Sequence, residues 1–429
     1  MKALHDLTAT EIVQAVDEGK TTCEAVVRNC LDHIAAREDA IGAWNFLEPA
    51  LALEQARIID RSGRKGALRG VPVGVKDIID TADMPTEYGT PIHREHRPRI
   101  DAACVALTRR AGGIIMGKTV TAEFANRYPG KTRHPMDPTR TPGGSSSGSA
   151  AAVGDHMVPL AIGTQTTASN IRPASFCGCV GYRPTWGDIR CHGVMEVAGS
   201  LDTLGLIARS VADVALYRDV LVGTKPEPIT PHRGGPLRVG FCRTAIWDQC
   251  EPHVQVSLER CARVLAQAGA LVSEVTLPDE FTRLEDAQRW ISSFEFTRNR
   301  TWEIDHHWEQ ISEFLRTHRL RDGMSCSFER YRDARTFAET CRGMMDTFMQ
   351  NYDVLLTSPV SGEAPVGLNS TGNTSFCAMW TTLHVPAVTL PFFTGPNGLP
   401  VGAQFIARRN EDRRLFQAAQ WVTEAWERR

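Results

Sequence analysis

The chain has 429 residues, of which 42% are hydrophobic and 23% are charged, and its formal net charge is −2. This composition is typical of a globular protein, and it argues against a basic surface that binds nucleic acid or an anionic membrane. No apolar run approaches the roughly 20 residues of a membrane span, and the N-terminal residues show no secretory signal pattern. Twelve scattered cysteines without a Cys-x-x-Cys pair indicate reduced thiols and a cytoplasmic location.

Three helices are predicted at the N-terminus. Thr8 and Glu11 form a capping-box pattern ahead of apolar residues at helical spacing, which predicts a helix start. A second helix is expected from about Thr22, and a third over residues 50–62. The Gly/Pro turn and β-rich apolar run of residues 68–80 then predict a strand.

Beyond residue 100, predicted strands and helices alternate, which favours an α/β fold in a single domain over residues 1–429. The N-terminal helices (about 1–62) and a helical insertion (about 281–350) are expected to pack on its core. Two polar segments rich in Gly, Ser and Thr, 128–148 and 163–176, are predicted loops. Further strands are predicted at 113–118, 158–163, 237–241, 270–275, 352–358, 385–390 and 401–407, and further helices at 104–110, 150–158, 210–222, 253–269 and 410–427.

Residues 112–119 match the phosphate-binding pattern G-x-x-x-x-G-K-[ST]. That loop must follow a strand and open a helix, so that free backbone N–H groups face the phosphate. Here a helix and a glycine turn precede apolar residues that read as the strand itself. The pattern therefore predicts a buried strand, with a nucleotide-binding protein as the weaker alternative.

Three segments carry candidate chemistry. Lys76 lies in an apolar, strand-like run, where burial lowers the pKa of a lysine and makes it a usable base. The Gly/Ser segment around Ser145 and the polar segment around Ser169 supply hydroxyl groups, and a serine needs an adjacent base to become a nucleophile. Each segment alone has a structural explanation, as an interface lysine or a flexible linker. Together they predict a serine–lysine catalytic site.

These segments resemble the amidase signature family. GGSSSGSAAAVG (143–154) and GTQTTASNIRPASFCG (163–178) are similar to the Gly/Ser-rich region that defines it, and GVPVGVKDIIDTADMPTEYGTPI (70–92) is similar to its lysine segment. Residues 200–215 and 385–407 also resemble family segments, so the resemblance covers nearly the whole chain. It implies a mixed central β-sheet surrounded by α-helices.

The resemblance also implies a role for each residue. Ser169 would be the nucleophile, Ser145 the bridging serine joined by a cis peptide bond to Gly144, and Lys76 the base behind Ser145. The backbone N–H groups of Thr166, Thr167, Ala168 and Ser169 would form the oxyanion hole.

The implied reaction is hydrolysis of an amide through an acyl-enzyme on Ser169, with release of ammonia or an amine. It needs no metal or organic cofactor. The expected partner is a small-molecule amide, and a homodimer is expected.

One feature of the loop departs from the family pattern, which has two glycines directly before the nucleophile. This chain has Thr167 and Ala168 there. If those positions require positive φ, the side chains add strain, although their N–H groups survive. The substitution bears on substrate size and turnover more than on the class of reaction.

Substrate recognition is open on several points. Relatives that act on small carboxylated amides hold the carboxylate with an arginine at the spacing of Arg172, but the same arginine would equally brace the loop. By the resemblance, Asn126, Arg127 and Tyr128 border the pocket, and Gly144 contacts the substrate.

Two alternative functions remain at the level of sequence. The first is an ammonia-donating component of an amidotransferase complex, which requires partner chains. The second is a catalytically weak, amidase-like binding protein, which Thr167 and Ala168 motivate.

Overall fold

The computed structural model describes residues 2–63 and 65–429; Met1 and Arg64 lie outside the described residues. Eleven strands within them form one sheet in the order β1-β3-β2-β4-β6-β5-β10-β11-β9-β7-β8. The pairs β2–β3, β2–β4, β7–β8 and β7–β9 are parallel, and the other neighbouring pairs are antiparallel. The strands are β1 (Trp44–Leu47), β2 (Pro72–Lys76), β3 (Ile114–Thr119), β4 (Leu160–Gln165), β5 (Val180–Arg183), β6 (Thr203–Ala208), β7 (Arg238–Cys242), β8 (Leu271–Val275), β9 (Val354–Thr357), β10 (Ala387–Thr394) and β11 (Pro400–Ile406).

Helices surround this sheet and bury its central strands. All residues of β2, β3, β4 and β6 are buried, which explains why these strands read as apolar runs rather than as alternating patterns. The helices are α1 (Ala9–Asp17), α2 (Cys23–Ile41), α3 (Pro49–Ser62), α4 (Ala103–Arg110), α5 (Ser147–Gly154), α6 (Ile171–Phe176), α7 (Val211–Val222), α8 (Pro252–Gln267), α9 (Leu284–Asn299), α10 (Thr301–His307), α11 (Glu313–Leu315), α12 (Arg321–Ser325), α13 (Phe328–Phe348), α14 (Ser375–Thr382) and α15 (Asp412–Glu427).

The predicted α/β fold with a mixed central sheet is confirmed. The capping box of α1 forms as expected, since the Thr8 hydroxyl accepts from the Glu11 N–H and the Glu11 carboxylate accepts from the Thr8 N–H. The helical stretch at 281–350 is also present, as α9 to α13 with short breaks. No helix in the described ranges has the length and hydropathy to cross a membrane.

The prediction of a loop over residues 163–176 is wrong at both ends. Strand β4 continues to Gln165 because Thr164 and Gln165 pair with β6, and α6 begins at Ile171. The connection is therefore only residues 166–170. Helix α5 likewise begins at Ser147, earlier than the predicted residue 150.

Strands β2 and β4 lie side by side and in parallel at the centre of the sheet. Their carboxyl ends therefore meet at the same edge, where Lys76 ends β2 and the 166–170 connection follows β4. The candidate catalytic residues converge at this edge.

Candidate active site

Lys76 is completely buried, and its amine is held by two hydroxyl groups. Its Nζ donates to Ser145 Oγ at 2.7 Å and to Thr164 Oγ1 at 2.7 Å. Within the described residues Lys76 forms no ion pair with a carboxylate. Burial lowers the pKa of the Lys76 amine to about 7, and the negative charge of Asp202 opposes that shift. A fraction of Lys76 is therefore deprotonated near neutral pH, and its amine is within hydrogen-bond distance of the Ser145 hydroxyl.

Ser145 follows a tight turn made by two glycines. Gly143 and Gly144 have φ values of +79° and +64°, which L-residues with side chains rarely adopt. A Cβ on Gly144 would lie 2.6 Å from Pro173 Cγ and 2.9 Å from Ser169 O, so this turn is in direct contact with the 166–170 connection, which we call the nucleophile loop after the role predicted for Ser169. All peptide bonds of the described residues are trans, so the cis bond expected between Gly144 and Ser145 is not found; the left-handed glycines make the turn.

Ser169 lies in the short connection between β4 and α6 and is partly exposed. Its carbonyl accepts from the Ser146 N–H at 3.2 Å, which joins the two serine segments. In the part of the chain that the structure describes, no hydrogen bond joins the hydroxyl groups of Ser145 and Ser169. The structure therefore brings Lys76 and Ser145 into direct contact and sets Ser169 on the adjoining backbone.

The connection that carries Ser169 is braced by side chains from distant elements. The Gln165 amide oxygen accepts from the Asn170 and Ile171 N–H groups at 3.1 and 3.0 Å. The Thr381 hydroxyl donates to the Thr167 carbonyl at 2.8 Å. The Gln288 amide donates to Thr167 Oγ1 at 2.7 Å and to the Thr166 carbonyl at 3.1 Å.

The N–H groups of Thr166, Thr167, Ala168 and Ser169 have no hydrogen-bond acceptor among residues 2–63 and 65–429. Neither Thr167 nor Ala168 has a positive φ, so the strain considered for these positions does not arise. The four carbonyl groups of this segment and the hydroxyls of Thr166 and Thr167 are hydrogen-bonded, whereas its N–H donors remain available to a negative charge.

Two cavities flank the nucleophile loop. A cavity of about 270 Å³ is lined by Thr164, Thr166 and Asp202, among others. Asp202 accepts from the Thr166 hydroxyl at 2.5 Å and from the Val197 and Ala198 N–H groups, and burial raises the pKa of its carboxyl to about 7. Asp202 thus fixes the first residue of the connection.

A second cavity, of about 530 Å³, lies on the Thr167 side and includes Asn126 and Arg127 in its lining. We call it the arginine-lined cavity, because Arg319 also contributes to its wall. Asn126 donates through Nδ2 to the Phe124 carbonyl at 2.9 Å, and Phe124 and Ala125 have positive φ values of 45° and 55°. Tyr128 is 49% exposed and is not part of this lining, so its contact with a substrate stays a prediction.

Arg172 is 2% exposed and reaches away from the loop to a distant segment. Its Nη1 donates to the Gly372 carbonyl at 2.5 Å, and its Nη2 donates to Thr371 Oγ1 at 3.1 Å. Burial lowers the pKa of this guanidinium to about 9, and the neighbouring charge of Arg127 adds to the shift. These contacts favour the bracing role for Arg172.

The phosphate-binding pattern at 112–119 proves to be strand β3, as its apolar residues indicated. Its lysine, Lys118, is buried and donates to the Ile79 carbonyl at 2.7 Å and to Thr86 Oγ1 at 2.6 Å, and it forms an ion pair with Asp77 at 3.3 Å. The Lys118 amine is therefore bonded to groups within the core and is not available to bind a phosphate.

Four residues of the site escaped the sequence analysis: Thr164, Asp202, Gln288 and Arg319. Thr164 is a polar residue within buried strand β4, and Asp202 directly precedes buried strand β6, so both positions carried a signal in the sequence. Gln288 and Arg319 lie in the helical insertion, where polar residues are common and nothing local distinguishes them. Only the packing of the insertion against the nucleophile loop reveals them.

Comparison with known proteins shows what this arrangement is similar to. The family model described as Amidase matches residues 25–416. A glutamyl-tRNA(Gln) amidotransferase subunit from Chloroflexus aggregans is 32% identical over an alignment that covers 100% of this chain and 99% of the relative. A crystal structure described as an amidase has a TM-score of 0.89 at 27% identity, covering 98% of this chain and 99% of that chain. The peptide amidase from Stenotrophomonas maltophilia has a TM-score of 0.85 at 26% identity, covering 98% and 97%.

Proposed function

The chain belongs to the amidase family, and we propose that it hydrolyses a small amide through a covalent acyl-enzyme on Ser169. Membership of this family shows that the chain is an enzyme that hydrolyses amide bonds. We propose the role of Ser169 as nucleophile, the mechanism and the substrate. The observation that carries the proposal is the Lys76–Ser145 contact, in which a buried amine with a pKa of about 7 lies 2.7 Å from a serine hydroxyl.

In the proposed reaction, neutral Lys76 takes a proton from Ser145, and Ser145 takes one from Ser169. The Ser169 oxygen attacks the amide carbonyl carbon, and the free N–H groups of residues 166–169 stabilise the resulting oxyanion. The C–N bond then breaks, and the leaving nitrogen takes up the proton through Ser145. Water attacks the ester and restores Ser169.

The test is ammonia release from a panel of small amides. Ser169→Ala is expected to lose at least about a thousandfold in kcat, because no nucleophile remains. Lys76→Ala is expected to lose about a hundredfold or more, because the general base is gone. The matched control is Ser147→Ala, since the buried Ser147 hydroxyl has no hydrogen-bond partner in the described residues. Hydrolysis by purified Ser169→Ala at the wild-type rate would rule out the mechanism.

The relatives named as amidotransferase subunits support a second candidate, in which the released ammonia is passed to another chain of a complex. Purification of the tagged protein from its native cells separates the two functions. Partner chains in fixed ratio, with glutamine as the best ammonia donor, would favour the amidotransferase role. An isolated homodimer that turns over small amides would favour the stand-alone hydrolase that we propose.

The remaining candidate is a binding protein with little activity. A fluorophosphonate probe reacts covalently only with an activated serine, so labelling of Ser169 in the wild type and its loss in Lys76→Ala distinguish the candidates. The free N–H groups beside Ser169 support the active enzyme. Absence of labelling in the wild type would favour the binding protein.

A further inference from the structure

The arginine-lined cavity joins the nucleophile loop to the helical insertion. Thr167 lines one part of its wall, and Arg127 and Arg319 line another. Its volume of about 530 Å³ falls within the usual range for sites that hold small organic molecules. Thr167 lies two residues before Ser169, so this space adjoins the segment that carries the proposed nucleophile.

The carboxylates in the wall of this cavity are already hydrogen-bonded to other side chains. Asp322 accepts from Arg289 Nε at 2.7 Å, Asp286 accepts from Trp290 Nε1 at 3.0 Å, and Glu285 accepts from Ser375 Oγ at 2.6 Å. Glu285 attracts Arg127 electrostatically, but the two do not come within ion-pair distance. In the described part of the chain, Arg127 and Arg319 therefore have no carboxylate partner.

The two arginines differ in this respect from their neighbours. Arg127 donates one hydrogen bond, to the Thr374 hydroxyl. The guanidinium of Arg319 has no hydrogen bond or ion pair to any residue in the described ranges, and it lies 5.9 Å from the centre of the Phe296 ring. A guanidinium group has five N–H donors, so both side chains retain donors for a ligand.

The electrostatics of the cavity also favour an anion. Burial, with a further contribution from the charge of Arg127, lowers the pKa of the Arg319 guanidinium to about 10. Arg127 acts on Arg172 in the same direction. Arg127 is exposed and Arg319 is partly exposed, so an anion from solvent can reach both guanidinium groups and offset the repulsion between them.

Arg172 is not equivalent to these two arginines, because both of its Nη atoms are bonded to the 371–372 segment. Binding of a ligand by those atoms would break existing contacts, whereas Arg127 and Arg319 have donors to spare. Recognition of a negative charge therefore falls to the pair that lines the cavity.

We infer that Arg127 and Arg319 form an anion-binding subsite that holds the carboxylate of an amide whose C–N bond Ser169 cleaves. The inference rests on the proposed function, which places the amide of the substrate at Ser169. The substrate class is the monoamides of dicarboxylic acids, with the amide at the nucleophile loop and the carboxylate between the two arginines. Planar guanidinium groups suit this ligand, since they bind a carboxylate through two parallel hydrogen bonds.

The kinetic test compares acids with neutral analogues of equal length. Ammonia release is measured for succinamate, glutaramate and adipamate and for the corresponding diamides. Arg319→Gln and Arg127→Gln are each expected to lower kcat/KM for the best monoamide by at least about tenfold and to change kcat/KM for its diamide by less than about threefold. An equal loss on acid and diamide, or no loss on either, would overturn the subsite.

The control is Arg316→Gln, which lies one helical turn before Arg319 and is paired with Glu309 at 2.9 Å outside this cavity. It is expected to leave the ratio of acid to diamide turnover unchanged. Arg172→Gln serves as a second comparison, because loss of a brace lowers turnover of acids and diamides together. A selective loss on the acids in Arg172→Gln, without one in Arg319→Gln, would assign the carboxylate to Arg172 instead.

Binding is measured separately from hydrolysis, by calorimetry on Ser169→Ala with the best monoamide and with inorganic phosphate. Tighter binding of the monoamide, lost at least about tenfold in Ser169→Ala/Arg319→Gln, is the expected result. Tight binding of phosphate without binding of any carboxylate would overturn the carboxylate assignment. Monoamide binding in a protein that releases no ammonia would contradict the proposed function and still support the subsite.

Discussion

At the scale of single residues, the decisive comparison is between two buried lysines on neighbouring strands. Lys118 on β3 has a carboxylate partner in Asp77, whereas the only partners of Lys76 on β2 among the described residues are the hydroxyls of Ser145 and Thr164. Burial lowers the pKa of both amines, but Lys118 has an adjacent negative charge that stabilises its protonated form. The ion-paired lysine stabilises the core, and the unpaired one is suited to act as a base.

This difference predicts the pH dependence of the reaction. Only deprotonated Lys76 accepts a proton, so kcat/KM is expected to rise as pH increases through about 7, the pKa of the buried amine. Below that value kcat/KM should fall about tenfold per pH unit, because the fraction of neutral lysine falls by that factor. The measurement is a kcat/KM profile for a neutral diamide, whose own charge does not change.

The control for that profile is the stability of the enzyme at each pH, followed by return of activity after transfer to the optimum. A reversible acid limb near the Lys76 pKa supports the assignment. A profile that stays flat well below pH 7 would show that a group other than Lys76 acts as the base.

At the scale of secondary structure elements, the nucleophile loop depends on helices far away in sequence. Helix α9 supplies Gln288, and α14 supplies Thr381, which bond the backbone or side chain of Thr167. The sequence analysis did not identify strands β1, β5 and β6, and the reason is the same for all three. Each is short or interrupted by glycine or polar residues, as Gly205 in β6 shows, and each is defined by pairing with strands distant in sequence.

The role of α9 can be tested with Gln288→Leu. The change keeps the helix and the side-chain size but removes the donor to Thr167 Oγ1 and the Thr166 carbonyl. We expect kcat to fall by about ten- to a hundredfold, because the N–H groups beside Ser169 lose their fixed orientation. Steady-state kinetics on a neutral diamide gives the result.

Gln267→Leu is the matched control, since Gln267 is exposed at the end of α8, and it should leave kcat unchanged. Unfolding in urea is measured alongside. A loss of kcat in Gln288→Leu that only parallels a loss of folded protein would mean that the contact stabilises the fold rather than orients the loop.

At the scale of the whole molecule, one sheet runs from β1 to β8, and the main hydrophobic core includes residues from Ala9 in α1 to Trp426 in α15. Both ends of the chain therefore contribute to the same core. A smaller cluster includes Trp290 and Phe294 of α9, whereas Phe296 of the same helix belongs to the main core.

This arrangement predicts a single unfolding transition. Because N-terminal helices and C-terminal strands share one core, neither is expected to unfold alone. Tryptophan fluorescence and far-ultraviolet circular dichroism should give coincident urea transitions. Separate midpoints would instead show that parts of the molecule unfold independently. The helical insertion would then be expected to unfold first.

The sequence by itself determined the fold class and the family and predicted the roles of Lys76, Ser145 and Ser169, because each motif that carries them is contiguous and its glycines or buried strand are local features. Tertiary structure alone decided which charges are paired. Lys76 and Lys118 look alike in sequence until Asp77 is seen to reach only one of them. Arg172 was a candidate for binding a substrate carboxylate, but partners some 200 residues away occupy its two Nη atoms, whereas Arg127 and Arg319 have no carboxylate partner among the described residues. Ion pairing and desolvation depend on which residues the fold brings together, and sequence spacing does not record that.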